Sequence, residues 1–383
     1  MDRFASTTEH LRDVGRALLV ELGPRSFTQE ALAERGYVAV GTVYQRWSSR
    51  VDTLVDLAES RLLPALQDFE TGTDALFDSV DGRALLRFTS DVLLAARDHP
   101  ELQPATHEAV RLLKLVAVPH ATVDQDLHWW FTSCAVGWGM LLAGHADLPP
   151  IADLVGRVGQ RPTSSVERAA AVATGSVESI LPTTPPTEPT DSKGEILKAA
   201  ARDLLTTKAR PGFNTRDITE EAGVSTGSMY RRFPSRSELL RALLVDEVQS
   251  QRYEWTADMV NALTGSDPLP AAADVITQVL SKVFDDRDAQ RLILELTVAA
   301  RSEQTLRTQL VGQIAAAVES RRELFSRFST AGILAPSVPP DQLSWVFQAP
   351  PIGARLLGAL GERPSDDDLR GGIESLLRSF LVD

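Results

Sequence analysis

The chain has 383 residues, 43% of them hydrophobic and 24% charged, with a formal net charge of −13 and a single cysteine. That length exceeds one hydrophobic core and predicts two units of about 190 residues, while the acidic balance excludes a polypeptide that coats nucleic acid throughout but not local basic patches that dock on phosphate. The lone Cys134 excludes an internal disulfide or a cysteine-rich zinc site and fits a reducing, cytoplasmic setting.

In chain order, Met1 to Ser6 lacks the apolar run of an export signal, and the first helices are expected between Leu11 and Leu57, with Thr28 capping the second. Leu54, Leu57 and Leu62 keep helical spacing. The longest uncharged run, Trp129 to Gly144, is shorter than the roughly 18 residues of a membrane span and suits a buried helix. The stretch Pro182 to Asp191 holds four prolines, which deny it helix and make it an extended spacer. Beyond it Ile196, Ala200 and Leu204 restore helical spacing. Asp366, Asp367 and Asp368 fit the first turn of a helix, where the dipole favours negative charge. No segment alternates as strands do, so the fold class is all-α.

The sequence also repeats itself. At a shift of 186 positions Leu11, Arg16, Leu18, Leu19, Phe27, Glu34, Val38, Gly41, Tyr44, Arg46, Ser49, Arg50, Leu54 and Leu57 fall without a gap on identical residues, from Leu197 to Leu243. At a shift of 216, Leu127, Trp129, Phe131, Gly137 and Leu141 fall on Leu343, Trp345, Phe347, Gly353 and Leu357. Both ends of each half are therefore duplicated, with an insertion in the second. This divides the chain into a head at 1–57, a helical bundle at 58–181, the spacer at 182–191, a second head at 192–240 and a second bundle at 241–383.

The second head carries the functional signal. A first helix ends near Lys208 to Gly212; Asn214 caps the next, Ile218 and Ala222 face inward, and Gly223 supplies a left-handed turn. Ser225 then caps a short third helix, Thr226 to Arg232. Met229 and Phe233 anchor it, leaving Thr226, Ser228, Tyr230 and Arg231 on or near the open side, and Gly227 permits close approach. Hydroxyls and a guanidinium on a short capped helix suit base edges and phosphates in a major groove, and the helix restarted at Pro234 to Glu238 offers amides and Arg236 to a phosphate.

Ile196 to Leu240 resembles the DNA-binding domain of the tetracycline-repressor-like (TetR) family, and Ile218 to Phe233 is similar to its signature almost throughout. The resemblance implies that Asn214, Thr226, Tyr230, Arg232 and Arg236 touch phosphates or bases, with Ser225, Gly227, Ser228 and Arg231 completing the reading helix; Arg232 stands where the family often has histidine. The first copy resembles the family through Thr28, Leu32 to Arg35 and Val40 to Arg50, so that Thr28, Val40, Thr42, Tyr44, Gln45, Arg46 and Arg50 are its DNA-facing candidates. Its turn departs: Tyr37 stands at the left-handed position and Ala39 lacks the cap hydroxyl, each a change of about 1 kcal/mol if the geometry is kept. Residues 11–57 carry six basic and six acidic side chains against nine and five in 197–243, so the second head is expected to supply more of the salt-dependent affinity.

TetR-like proteins pair as dimers through their last two long helices; the resemblance implies that here the corresponding helices are Asp126 to Gly144 and Asp341 to Leu360, followed by last helices near Ser164 to Ile180 and Asp366 to Leu381. Both partners then lie in one chain, an intramolecular pseudo-dimer favoured over a homodimer of fused chains. Trp129, Phe131, Gly137, Trp345, Phe347 and Gly353 are the expected interface. The expected partner is a double-stranded operator that need not be palindromic, with a small apolar or aromatic effector of unread identity acting on the bundles. No cofactor is expected, and six histidines, all in the first half, show no metal spacing, so no metal is expected either. No phosphate loop, dinucleotide fingerprint or nucleophile elbow marks an enzyme. The competing class is a helical scaffold or partner-binding protein whose heads no longer bind DNA.

Overall fold

The computed structural model describes residues 3–69, 73–117, 127–144, 148–158, 192–206, 213–264, 267–330 and 332–381, with backbone alone at 3, 248–257, 260, 263, 264 and 268. The described elements are helical: α1 (Arg3–Leu22), α2 (Gln29–Arg35), α3 (Val40–Tyr44), α4 (Arg50–Leu57), α5 (Leu63–Gln67), α6 (Val80–Ala96), α7 (Gln103–Val116), α8 (His128–Leu142), α9 (Ala152–Gly156), α10 (Ser192–Thr206), α11 (Thr215–Glu221), α12 (Thr226–Tyr230), α13 (Arg236–Thr264), α14 (Pro268–Asp285), α15 (Arg287–Ser302), α16 (Gln304–Thr330), α17 (Pro340–Val346), α18 (Ala349–Ala359) and α19 (Asp366–Arg378). One isolated antiparallel bridge, Leu334 to Leu381, is the extended pairing among them. The fold is all-α, and none of the described helices is long and apolar enough to cross a membrane. The expected spacer 182–191, the helix near Ser164 to Ile180 and the helix end at Lys208 to Gly212 lie outside the described residues.

Two compact units divide the chain, one of residues 1–162 with 341–380 and one of 163–340 with 381–383. The expected second bundle, 241–383, is thus split, because its late helices pack on α8 of the first unit. In the first unit, Leu11, Leu18, Leu19, Phe27, Leu32, Val43, Trp47, Leu54 and Leu57 build a buried head core from α1 to α4. α4 runs on through a π-type turn, Ala58–Leu62, into α5. α8 is apolar around almost its whole circumference and buried on all sides, as a helix of that composition must be.

In the second unit, one continuous core joins head to bundle: Leu197, Leu204, Leu205, Phe213, Ile218, Met229, Leu240 and Leu243 pack with Leu292 and Leu296 of α15 and Leu306 of α16. Any shift of α15 is therefore felt by the head, since close-packed side chains transmit displacement rather than absorb it.

The expected single helix Asp341 to Leu360 is broken in two. α17 ends at Val346 and α18 begins at Ala349, with Pro350 and Pro351 in its first turn. Proline lacks an N–H and disfavours helical geometry in the residue before it, so it suits a helix start and not a helix middle. α19 opens as expected, with Ser365 accepting from the Asp368 amide at 3.1 Å and three aspartates in the first turn.

Candidate nucleic-acid interface

The second head is built from local capping chemistry. Asn214 Oδ1 accepts from the amides of Arg216 at 2.8 Å and Asp217 at 3.1 Å, while the Asp217 carboxylate accepts from the Asn214 amide at 2.7 Å. This reciprocal box starts α11. Gly223 turns the chain at φ 62°, in the left-handed region where a side chain would crowd the backbone. Ser225 Oγ then accepts from the Ser228 amide at 3.2 Å and starts α12. Met229 is fully buried and Phe233 packs against the same core, so Thr226, Gly227, Tyr230 and Arg231 are left exposed. Tyr230 keeps 51% of its surface in solvent, as its counterpart Tyr44 keeps 46%.

Ser228 corrects the expectation that it lies on the open side. It is 4% exposed, because the Arg232 guanidinium folds back over it, donating to the Ser228 carbonyl and hydroxyl, each at 3.1 Å. Arg232 thereby closes the carbonyl end of α12. Arg236 also differs from a side chain held out for phosphate. Its guanidinium lies 4.6 Å from the Phe213 ring centroid and pairs with the Glu303 carboxylate, which accepts from Ser237 Oγ as well. Glu303, at the junction of α15 and α16, thus places a carboxylate where the start of α13 would receive an anion.

The first head keeps the same backbone at higher cost. Thr28 Oγ1 accepts from the Ala31 amide at 3.1 Å and caps α2. Tyr37 holds φ 52°, the one positive-φ non-glycine among the described residues, and is 93% exposed. Ala39 gives α3 no side-chain cap. Both departures read from the sequence are thus present in the geometry. Val40, Tyr44 and Gln45 are exposed and Thr42 is half-buried. Arg46 repeats the fold-back of Arg232, donating to the Thr42 carbonyl at 2.7 Å, and it also reaches Thr8 Oγ1 at 2.9 Å and stacks 4.2 Å from the Phe4 ring centroid. Arg50 donates to the Pro24 carbonyl, and burial pushes its pKa down.

One charged position escaped the sequence reading. Glu30, exposed in the first turn of α2, accepts from Tyr44 Oη at 3.3 Å. At a shift of 186 its counterpart is Arg216, exposed and ion-paired with Glu220 at 2.7 Å. The sign reversal is legible in the repeat at that shift, although nothing local marks which face the two charges occupy.

The expected interface residues fall into two groups. Gly137 of α8 and Gly353 of α18 meet directly: a Cβ on Gly137 would lie 1.9 Å from the Ala349 carbonyl oxygen, and one on Gly353 would lie 1.9 Å from the Ser133 carbonyl oxygen. At a shift of 216 Ser133 corresponds to Ala349 and Gly137 to Gly353. The contact is therefore reciprocal, the relation a two-fold axis imposes on like surfaces. The aromatics do not form one cluster. Trp345 packs edge-on against Trp138 at 6.3 Å, Phe347 lies 6.3 Å from Phe380, Phe131 stacks edge-on with Trp130 at 5.2 Å, and Trp129 is buried on α8. Lys114 of α7 pairs with Glu362 after α18 at 3.1 Å. Among the described residues no group of three or more His, Cys, Asp or Glu side chains is placed to hold a metal.

Residues 196–243 match the family model described as bacterial regulatory proteins, tetR family. The match spans the capped helices, the left-handed glycine and the exposed α12 just described, and it supports a TetR-family DNA-binding domain in this part of the chain. A crystal structure of a Rhodococcus sp. chain described as a TetR-family transcriptional regulator is 22% identical, covering 48% of this chain and 94% of that one with a TM-score of 0.38. No curated protein matches the chain.

Proposed function

We propose that this chain is a cytoplasmic, ligand-responsive transcriptional repressor that grips its operator with two non-identical helix-turn-helix heads carried by one polypeptide. The observation that carries the reading is α12. A five-residue helix, capped by Ser225 and anchored by Met229, presents Thr226, Tyr230 and Arg231 to solvent within the segment that matches the tetR-family model. Such a surface has hydroxyl and guanidinium donors for base edges and phosphates.

The pairing of the two halves is supported by the reciprocal glycine contact of α8 with α18, in which each half supplies the same position to the other. On this reading the fused chain needs no second copy, and light scattering of the purified protein gives the mass of a single chain. A small apolar or aromatic effector acts on the bundles, and the shared core of α10, α13, α15 and α16 carries its effect to the second head. Tyr37, Ala39 and the loss of a cation at Gln45 favour an unequal division of labour, with the second head supplying more of the affinity.

Genome-wide binding-site selection with the full chain and with Tyr230→Ala tests the reading. The intact protein is expected to enrich an asymmetric operator and the variant to lose it. Selection of no sequence by the intact chain, or equal enrichment by both, refutes it and favours the scaffold alternative.

A further inference from the structure

The opposed charges at Glu30 and Arg216 lie in the first turns of α2 and α11, each preceding a reading helix. In the first head the carboxylate is not a loose surface charge. Its own backbone amide, together with the Tyr44 and Thr28 hydroxyls, holds the Glu30 carboxyl below the usual range, which keeps it ionised and an acceptor only. Tyr44 is the exposed ring of α3, so the bond fixes Glu30 on the same face as the reading helix. An acceptor set there is unsuited to phosphate or to the N7 and O6 edge of guanine, both of which are themselves acceptors. Of the two major-groove amino donors, the N4 of cytosine suits it better than the N6 of adenine, which lies beside the N7 acceptor of the same base.

We propose that Glu30, positioned by Tyr44, is a specificity-determining residue that reads a cytosine in the half-site of the first head. Arg216 at the corresponding place in the second head offers donors that suit guanine. The two half-sites therefore differ by an inversion of one G·C pair, the base on the equivalent strand being cytosine in one and guanine in the other. This places a departure from palindromy at a named position, and it rests on the DNA-reading role proposed above for the first head.

The test is selection from duplexes that carry a fixed half-site for the second head beside a randomised one, using the full chain, Glu30→Gln and Tyr44→Phe. Glu30 is exposed, so its replacement leaves the fold intact. The intact chain is expected to enrich cytosine at one randomised position. Glu30→Gln should lower that preference about tenfold with no change at other positions, and Tyr44→Phe should lower it less, at the same position. Two results overturn the inference and are distinguishable. If Glu30→Gln tightens binding to every sequence alike and steepens the salt dependence, the carboxylate merely repels phosphate and the first head still binds. If the intact chain enriches nothing in the randomised half, the first head reads no DNA, and that part of the proposed function fails with it.

Discussion

Replacing Gly353 by alanine tests the reciprocal helix contact directly. The added methyl would lie 1.9 Å from the Ser133 carbonyl oxygen and 2.8 Å from the Gly137 amide nitrogen. Both neighbours are backbone atoms, so no rotamer change relieves the clash; reaching an ordinary contact of 3.4 Å requires α8 and α18 to separate locally by about 1.5 Å. Forced separation of a well-packed pair costs about 1–3 kcal/mol, and the rigidity of the neighbours puts this case near 3. Gly137→Ala meets the Ala349 carbonyl at the same 1.9 Å and should cost the same. Once one methyl has parted the helices the second finds room, so the double variant should cost less than the sum, with a coupling of about 1–2 kcal/mol. Gly312→Ala is the control: nothing lies within 4 Å, and alanine in a helix interior should stabilise by about 0.5–1 kcal/mol. Denaturant unfolding followed by tryptophan fluorescence reads all four, since Trp129, Trp130 and Trp138 lie on α8 itself. Single variants that each cost below about 0.5 kcal/mol, or a double variant equal to the sum, would refute the reasoning.

Tyr37→Gly should stabilise the first head by about 1 kcal/mol by removing a left-handed tyrosine, and Ala39→Ser should add about 0.5–1 kcal/mol by supplying the missing cap; no gain in denaturant midpoint from either would show that the turn is relaxed. Glu303→Gln should free Arg236 and the start of α13 for phosphate, raising DNA affinity severalfold and steepening the log K against log salt slope by up to about one, whereas an unchanged slope would mean that Arg236 makes no phosphate contact. Burial pushes the Cys134 thiol pKa up, so the folded chain holds that proton where the unfolded chain releases it. Above the unfolded value of about 8.5 the unfolded state binds fewer protons and stability falls by up to about 1.4 kcal/mol per pH unit, a slope that Cys134→Ala should flatten; equal slopes for the two proteins would count against it. At pH 8 a thiol reagent should label Cys134 only at the rate of unfolding, and rapid labelling would contradict its burial.

What was legible in the sequence is what local chemistry decides. The caps at Asn214, Ser225 and Thr28, the left-handed Gly223 and the strained Tyr37 each depend on residues within three or four positions, and the structure holds each of them. The failures have physical causes of two kinds. Helical period puts Ser228 on or near the open side, but a five-residue helix ends before the period settles its faces, and the returning Arg232 covers it. Pro350 and Pro351 signal the break at Phe347 and Gln348, which the unbroken helix implied by the family resemblance does not carry. The pairing of Arg236 with Glu303 joins residues 67 apart and has no local signature at all.

The pattern of likeness between the two halves follows from which contacts are mutual. In a symmetric dimer one residue would serve as both Gly137 and Gly353; in this chain they are separate positions, each free to change. Yet each must remain glycine, because the backbone carbonyl of the other half occupies the space of its side chain. No such reciprocity binds Tyr37 to Gly223, Ala39 to Ser225, Gln45 to Arg231 or Glu30 to Arg216, and at all four the halves differ. On the function proposed above, a head needs only a stable core and a face that fits its own half-site, so its turn and its charges are free to differ while Leu32, Val43, Leu54 and Leu57 stay buried beneath them. On that same reading the fused heads are released from each other while the α8–α18 pair stays bound by its own geometry, and a non-palindromic operator is the expected consequence.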